Sequence, residues 1–327
     1  FSHLPLSFRN IPRVPFYAVP LFCCAVLSPA LWKRFSWGRY ATLGFLLAAI
    51  AVAALSLTAQ THGGGFEMTV LDVGHGGATF MRFPDGRTVL YDCGSYRQSD
   101  VTRRVLQPFF RERNVKCISL VVISHPHVDH FDGLPTLLDN YDVGTLVLTD
   151  YFTPDVNDYW RPVWREIERS GVKVVRMRDG EKLDGFPELS FYLADVRLPP
   201  GEDGGYNRAL NDASLVMRVE CGEVSALLTG DIEARGIAWF NKRYQGPPVD
   251  VLLAPHHGDY EPGLTETLLD GIRPRVVIVP TDRSSPRLRL KAALDERRIP
   301  ARLSRTSGAV TIRLVDSEPR LTETLAP

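Results

Sequence analysis

The sequence of 327 residues predicts a layered α/β domain. Two observations support this prediction. Short apolar strands alternate with helical stretches from residue 68 onwards, and strand-rich regions are followed by βα alternation, which is typical of a layered α/β fold. A composition with 44% hydrophobic and 23% charged side chains excludes a disordered chain. The five cysteines contain no CxxC pair, so they indicate neither a disulfide framework nor a zinc ribbon.

The strands are predicted wherever four to six apolar or β-branched residues are bounded by turn residues. They fall at 68–73, 79–83, 88–91, 118–123, 145–148, 172–176, 214–219, 224–228, 249–253, 275–279 and 310–314. Helices are predicted where apolar residues recur at helical spacing. They fall at 100–113, 134–140, 156–170, 232–244, 263–269 and 288–298.

The first 66 residues differ in composition from the rest, because they contain five basic side chains and no acidic one. Two apolar runs, 14–32 and 40–59, are each long enough for a transmembrane helix. We therefore expect residues 1–62 to be a membrane segment and the tail of a larger channel domain absent from this chain, with a signal peptide or a buried soluble helix as alternatives. The basic loop between the runs places the following domain outside the cytoplasm by the positive-inside rule. The predicted localisation is the cell membrane.

One loop carries four metal-ligating side chains within six residues. His125, His127, Asp129 and His130 follow directly after the apolar strand at 118–123. A loop at the end of a buried strand is held rigidly and still reaches a cleft. Imidazole and carboxylate ligands together suit Zn²⁺ or Mn²⁺. The loop therefore predicts a metal site, and it could contact two ions.

Two later strands also end in ligand-type residues. Asp231 follows the strand at 224–228, where it could bridge two metals or cap the next helix. His256 and His257 follow the strand at 249–253, and only one of these neighbours can point into a given site. Three such strand ends predict one site for two divalent metal ions at a shared edge of the sheets.

Several motifs together resemble the metallo-β-lactamase superfamily, and within it the C-terminal extracytoplasmic domain of ComEC-type competence proteins. They are LDVGHG at 71–76, DGRTVLYDCGS at 85–95, SHPHVDH at 124–130, SLVMRVE at 214–220, LLTGDIE at 227–233 and PHHG at 255–258. The resemblance covers about residues 66–315 and leaves 316–327 as a tail. It implies a four-layer αββα sandwich, here preceded by two transmembrane helices, and a two-metal site that degrades the DNA strand that is not imported.

The resemblance also implies roles for single residues. Asp129 would hold a metal and orient the attacking water, Asp231 would bridge the metals, and Asp92 would support the ligand loop. The sequence departs from the family pattern at His75 and at Gly77, where the branch usually has Gln and Asp. The middle histidine of the hydrolytic lactamases is also missing. Oxygen ligands from Asn211 and Asp212 could replace it, which would favour Mn²⁺ over Zn²⁺.

The sequence therefore predicts a metallo-hydrolase, most specifically a nuclease that acts on single-stranded DNA. The alternatives are a hydrolase of a small phosphodiester or ester on the same fold, and a catalytically impaired module that guides DNA. The 38 acidic and 38 basic residues balance, but the charge is segregated, and a basic stretch near the C-terminus could bind DNA through Arg287, Arg289 and Lys291. Aromatic residues between 151 and 164, including Tyr159 and Trp160, are expected to pack in the core rather than to stack on bases.

Overall fold

The computed structural model describes residues 65–97, 99–154, 159–199, 204–282, 288–315 and 318–324, with scattered positions between 23 and 51. The chain divides into two compact units, residues 1–64 with 108–115, and residues 65–107 with 116–327. The predicted membrane helices at 14–32 and 40–59 fall mostly outside the described residues. Among the helices that are described, none combines the length and the apolar composition needed to cross a bilayer.

The described residues of the second unit form fourteen strands in two sheets. In chain order they are β1 (Glu67–Val70), β2 (Thr79–Arg82), β3 (Thr88–Tyr91), β4 (Cys117–Val122), β5 (Asp142–Leu148), β6 (Lys173–Arg176), β7 (Leu189–Tyr192), β8 (Val216–Cys221), β9 (Val224–Leu228), β10 (Val251–Leu253), β11 (Val276–Val279), β12 (Ala301–Leu303), β13 (Ala309–Val315) and β14 (Glu318–Thr324). The first sheet has the order β14-β13-β1-β2-β3-β4-β5-β6, and the second has the order β12-β11-β10-β9-β8-β7.

The helices lie between these strands in the chain. An irregular helical stretch, Thr102–Leu106, leads into α1 (Gln107–Glu112). The others are α2 (Val128–Phe131), α3 (Leu134–Asn140), α4 (Trp160–Ser170), α5 (Gly204–Asp212), α6 (Ala234–Arg243), α7 (Leu264–Ile272), α8 (Leu288–Glu296) and α9 (Ser304–Ser307).

The main core lies between the two sheets, because alternate side chains of each strand point to opposite faces. Leu120 and Val122 of β4 pack in the same buried cluster as Met217 of β8 and Leu228 of β9. The other face of the second sheet is covered by α6, α7 and α8, whose buried apolar residues cluster with Leu227 of β9 and its neighbours. The fold is thus a two-sheet α/β sandwich with helices, as the sequence predicts.

Four strands end at one edge of this sandwich. Strand β3 is parallel to β4, and β9 is parallel to β10, so the carboxyl ends of each pair lie side by side. The two sheets are joined near this edge, because the amide of Leu215 donates a 2.9 Å hydrogen bond to the carbonyl oxygen of Ser124. The segments that follow β3, β4, β9 and β10 therefore start from one connected edge.

All eleven predicted strands are present, and three further strands were missed. Strands β7 and β12 are only four and three residues long. Strand β14 pairs antiparallel with β13 and extends the first sheet into the residues expected to be a tail. Helix α5 was missed because its first residues, Gly204 and Gly205, disfavour a helix.

Candidate metal centre

The ligand-type side chains come from four segments at the shared edge. His125 follows β4, and the short helix α2 carries Asp129 and His130. Asp231 follows β9, and His257 lies in the turn Pro255–Gly258 after β10. All five side chains are buried, with no more than 7% of any residue exposed. Polar side chains are rarely buried in this number unless they bind something or one another.

The centre of the cluster is the Oδ2 atom of Asp231. The Nε2 atom of His130 lies 3.3 Å from it, that of His257 3.5 Å, and that of His125 4.0 Å. His257 Nε2 is also 3.3 Å from Asp129 Oδ2. Ligands of one tetrahedral Zn²⁺ ion, at about 2.0–2.1 Å from the metal, are about 3.3 Å apart. Ligating atoms of Asp129, His130, Asp231 and His257 lie within 4.8 Å of one another, so they fit a divalent cation.

A second group of ligand-type side chains, His125 and His127, adjoins the first. The Nε2 atom of His125 is 3.1 Å from the Nδ1 atom of His127. The remaining nitrogen of His127, Nε2, is buried and has no hydrogen-bond partner among the described residues, and the same is true of His130 Nε2 and Asp129 Oδ1. Buried polar atoms without partners are costly, and here they converge on one place. Ligation of two cations that share Asp231 would satisfy them.

Asp92 supports the loop that carries these ligands. Its Oδ1 atom accepts a 2.7 Å hydrogen bond from the amide of Ser124, and its Oδ2 atom accepts a 3.0 Å bond from the Ser124 hydroxyl. Oδ2 also lies 2.8 Å from Nδ1 of His130, which leaves Nε2 of that ring for ligation. Asp92 has a left-handed backbone with a φ of 59°, and such strain in a non-glycine residue is common at functional sites.

The departure at Gly77 has a steric consequence at this contact. A Cβ atom at position 77 would lie 3.2 Å from Asp92 Oδ2 and 3.3 Å from His130 Nδ1. Such contacts are tighter than most side chains tolerate. Glycine at this position therefore accommodates the pair Asp92–His130, which remains assembled.

The charges of the cluster compensate one another. Burial alone would lower the pKa of His130, but the carboxylates of Asp231, Asp92 and Asp129 outweigh it and hold that pKa well above its ordinary value. Burial would likewise raise the pKa of Asp231, but His130 and His257 hold it well below the usual range. Burial and the neighbouring histidines lower the pKa of His125 far below its ordinary value, so that ring is neutral, as a metal ligand must be.

The two adjacent histidines after β10 have different environments. Both have left-handed backbones, with φ of 45° for His256 and 54° for His257, so the chain turns sharply here. His257 is buried among the ligands, whereas 28% of the His256 side chain is exposed. The Nδ1 atom of His256 faces Glu233 Oε1 at 3.5 Å and Asp259 Oδ2 at 3.6 Å. His256 Nε2 is 4.0 Å from Asp231 Oδ2, at the edge of the cluster.

The other residues singled out in the sequence lie at different distances from the cluster. His75 Nε2 is 3.7 Å from Asp129 Oδ2. Asn211 lines the cavity above the cluster, and its Oδ1 atom is buried without a partner. The Oδ1 atom of Asp212 instead accepts hydrogen bonds from the amides of Glu233 and Gly236 at the start of α6.

Two of the three predicted DNA-binding residues, Arg289 and Lys291, are not part of this site. Arg289 and Lys291 lie on α8, are exposed, and do not line the cavity. Lys291 is paired with Asp295 on the same helix. Arg287 lies outside the described residues.

An open cavity of about 600 Å³ leads to the cluster. Its lining includes residues that the sequence did not single out for the site, among them Tyr96, Tyr206 and Asn207. Burial and the neighbouring Asp129 raise the pKa of Tyr96, and Asn207 lines the cavity together with His127. These residues come from loops and from α5, so no local sequence pattern marks them. Tyr159 also lines the cavity and is 71% exposed, so the expectation that it packs in the core was wrong.

Comparison with known proteins identifies the family of the chain and two of its relatives. A model of the metallo-beta-lactamase superfamily matches residues 71–280, more than half of the chain. The chain is 30% identical over 222 residues to recombination protein 2 of Haemophilus influenzae, covering 68% of this chain and 25% of that protein. It is 24% identical over 226 residues to ComE operon protein 3 of Bacillus subtilis, covering 65% of this chain and 28% of that protein. The chain thus spans about a quarter of the length of these relatives.

Among solved structures, the fold is similar to that of CmlA, a diiron beta-hydroxylase from Streptomyces venezuelae. The TM-score is 0.45 and the sequence identity 16%, and the match covers 76% of this chain and 54% of that one.

Proposed function

The chain belongs to the metallo-beta-lactamase superfamily, and from its site we propose that it is a metal-dependent hydrolase of phosphodiester bonds in single-stranded DNA. One observation carries the proposal. Asp231 Oδ2 lies within 4.0 Å of ligating nitrogens from two groups of side chains, His130 and His257 with Asp129 in the first group, and His125 with His127 in the second. Such a shared carboxylate is the arrangement expected for a pair of divalent cations.

Two cations so placed would neutralise charge on a phosphodiester and lower the pKa of the attacking water. The residues of the chain supply the remaining functions. Asp231 would hold both ions in place, and His130 would be fixed by Asp92 through the 2.8 Å contact. The Oδ1 atom of Asp129 has no partner and can accept a hydrogen bond from the attacking water, which would orient that water.

Asn211 would complete the ligand set on the side of His125 and His127. Asn211 lines the same cavity as His127, and its buried Oδ1 atom has no hydrogen-bond partner among the described residues. It would take the place of the histidine that this chain lacks. An added oxygen ligand would favour Mn²⁺ over Zn²⁺.

We further propose that the domain serves DNA uptake at the cell membrane. The names of its relatives, a ComE operon protein and a recombination protein, support a role with DNA. The apolar runs at 14–32 and 40–59 support anchoring as two transmembrane helices within residues 1–62, with residues 66–315 as an extracytoplasmic hydrolase domain beside a channel. Helices α6, α7 and α8 cover the second sheet, and α3 and α4 contact each other. These two groups of helices support a four-layer αββα arrangement.

The test is an assay of the full chain in detergent with Mn²⁺ or Zn²⁺. The substrates are a labelled single-stranded oligonucleotide, bis(4-nitrophenyl) phosphate and a small ester. The variants are His127→Ala and Asp129→Ala, and the matched control is Asp142→Ala, an exposed carboxylate at the first residue of β5.

Metal-dependent cleavage of the oligonucleotide that is lost in both site variants and kept in Asp142→Ala supports the proposal. Ester turnover without cleavage of either phosphodiester would overturn the substrate class. Cleavage that survives in both site variants would overturn the site. No turnover with either metal would favour a DNA-guiding module without catalysis.

A further inference from the structure

Three tyrosines from separate segments surround the opening of the metal cavity. Tyr96 lies in the loop after β3, Tyr159 directly precedes α4, and Tyr206 lies in the first turn of α5. Among the described residues from 65 onwards, large apolar or aromatic side chains are exposed at three positions, Tyr96, Tyr159 and Leu288. Two of these three line this one cavity. Exposed aromatic residues that cluster at a cleft usually mark a binding surface.

The ring of Tyr159 is not needed to anchor α4. The neighbouring residue Trp160 is fully buried, with its ring centroid 4.9 Å from that of Phe131 and 4.8 Å from that of Phe152. Tyr159 itself is 71% exposed. The core contacts of this segment are therefore made by Trp160, and the face of Tyr159 is available to a ligand.

The ring of Tyr96 begins an aromatic series that leads into the metal cluster. Its centroid is 5.4 Å from that of His75, and the centroid of His75 is 4.4 Å from that of His257. Both distances are within the range of aromatic ring contacts. A planar group held against Tyr96 would thus be separated from His257, a candidate metal ligand, by the rings of Tyr96 and His75.

The chemistry of this rim fits unstacked nucleobases beside a phosphodiester. Aromatic side chains bind bases of single strands through their faces, at about 1–3 kcal/mol per base, and without strong dependence on sequence. Each rim tyrosine is also followed within two residues by an exposed arginine, which favours a polyanion near the rim. These are Arg97, which is paired with Asp282, and Arg161 and Arg208.

We propose that Tyr96, Tyr159 and Tyr206 form a base-stacking rim that holds nucleobases next to the scissile phosphodiester and selects single-stranded over double-stranded DNA. The bases of a duplex are stacked on one another and cannot present their faces to these rings. This inference rests on the proposed function, because it assigns the substrate recognition of the same site.

The test measures binding rather than turnover, so that it does not depend on hydrolysis. The full chain in detergent is titrated, with EDTA present, into a fluorescein-labelled oligothymidylate and into an abasic oligomer of the same length, and fluorescence anisotropy gives Kd. The variants are Tyr159→Ala and Tyr206→Ala, with Tyr159→Phe and Tyr206→Phe as conservative partners. Tyr141→Ala, at a half-buried tyrosine next to the first residue of β5, is the matched control.

We expect each alanine variant to raise Kd for the oligothymidylate by about 5-fold to 100-fold and to leave Kd for the abasic oligomer unchanged. The phenylalanine variants and Tyr141→Ala should bind both oligomers as the wild type does. Three outcomes would overturn the rim. The alanine variants could lose equal affinity for both oligomers, or they could bind both as the wild type does. The wild type itself could fail to bind the oligothymidylate more tightly than the abasic oligomer. If the wild type binds the oligothymidylate selectively but cleaves no DNA with Mn²⁺ or Zn²⁺, the proposed rim stands and the proposed hydrolase activity is overturned.

Discussion

The Nδ1 atom of His257 lies 2.9 Å from the carbonyl oxygen of Pro280, the residue that follows β11. Because a carbonyl can only accept, this contact requires the proton on Nδ1 and leaves Nε2 for the cluster. Nε2 then lies 3.3 Å from Asp129 Oδ2 and 3.5 Å from Asp231 Oδ2. His256 has no comparable contact, since its Nδ1 atom faces the carboxylates of Glu233 and Asp259.

The first prediction is that the two neighbouring histidines are unequal in metal binding. We expect His257→Ala to weaken binding of Zn²⁺ or Mn²⁺ by more than about 100-fold, because even an outer-sphere partner contributes 10–100-fold. His256→Ala should change affinity by less than about 10-fold. Competition with a chromophoric chelator measures both. A larger loss in His256→Ala than in His257→Ala would reverse the assignment.

A second prediction concerns Asp92. Its carboxylate accepts from the Ser124 amide, from the Ser124 hydroxyl and from His130, and an asparagine offers too few acceptor sites for all three. We expect Asp92→Asn to lower metal affinity by about 10–100-fold through loss of the fixed His130 ring. The control is Asp85→Asn in the turn between β2 and β3. The same chelator competition measures the metal affinity of both variants. Equal metal affinities would show that Asp92 does not position the His130 ring for metal binding.

The third prediction is that metal binding releases protons. In the metal-free protein, nearby carboxylates raise the pKa of His130 and of His257 although burial opposes this, so both rings keep a proton to a higher pH than a free histidine does. Ligation requires neutral imidazole, so about two protons should leave per protein, and metal affinity should rise with pH. The lowered pKa of His125 means that this ring has no proton to release.

Calorimetric titration with Zn²⁺ in two buffers of different ionisation enthalpy gives the number of protons released. We expect this number to fall as the pH rises towards the raised pKa of the two histidines, because fewer protons are then bound before the metal arrives. A binding enthalpy that is the same in both buffers would contradict the protonated cluster.

The sequence could predict where the candidate ligands lie because they follow strand ends, which a short apolar run followed by His or Asp indicates. His125, Asp129, His130 and Asp231 all lie in the cluster at the places that the strands imply. The choice between His256 and His257 could not be made from the sequence, because it depends on the left-handed turn after β10 and on Pro280. Tyr96 and Tyr206 were not singled out, and Tyr159 was assigned to the core, because the placement of these side chains depends on how distant segments of the chain meet at the cavity.

The last prediction separates two adjacent residues that the sequence treated alike. Asp212 Oδ1 accepts hydrogen bonds from the amides of Glu233 at 3.0 Å and Gly236 at 2.8 Å, so it satisfies the first turn of α6. Asn211 donates to Glu233 Oε1 at 2.7 Å and keeps a buried, unpartnered oxygen at the cavity. We expect Asp212→Ala to lower the free energy of unfolding by about 1 kcal/mol while metal affinity is kept.

We expect Asn211→Ala to reduce the free energy of Mn²⁺ binding by more than it reduces the free energy of unfolding, because the substitution removes an oxygen ligand rather than a helix cap. Urea denaturation with EDTA present gives the stability of each variant, and chelator competition gives its metal affinity. A drop in Mn²⁺ affinity that is larger in Asp212→Ala than in Asn211→Ala would show that the carboxylate leaves the helix to bind metal. Asp212 would then be the metal ligand, in place of Asn211.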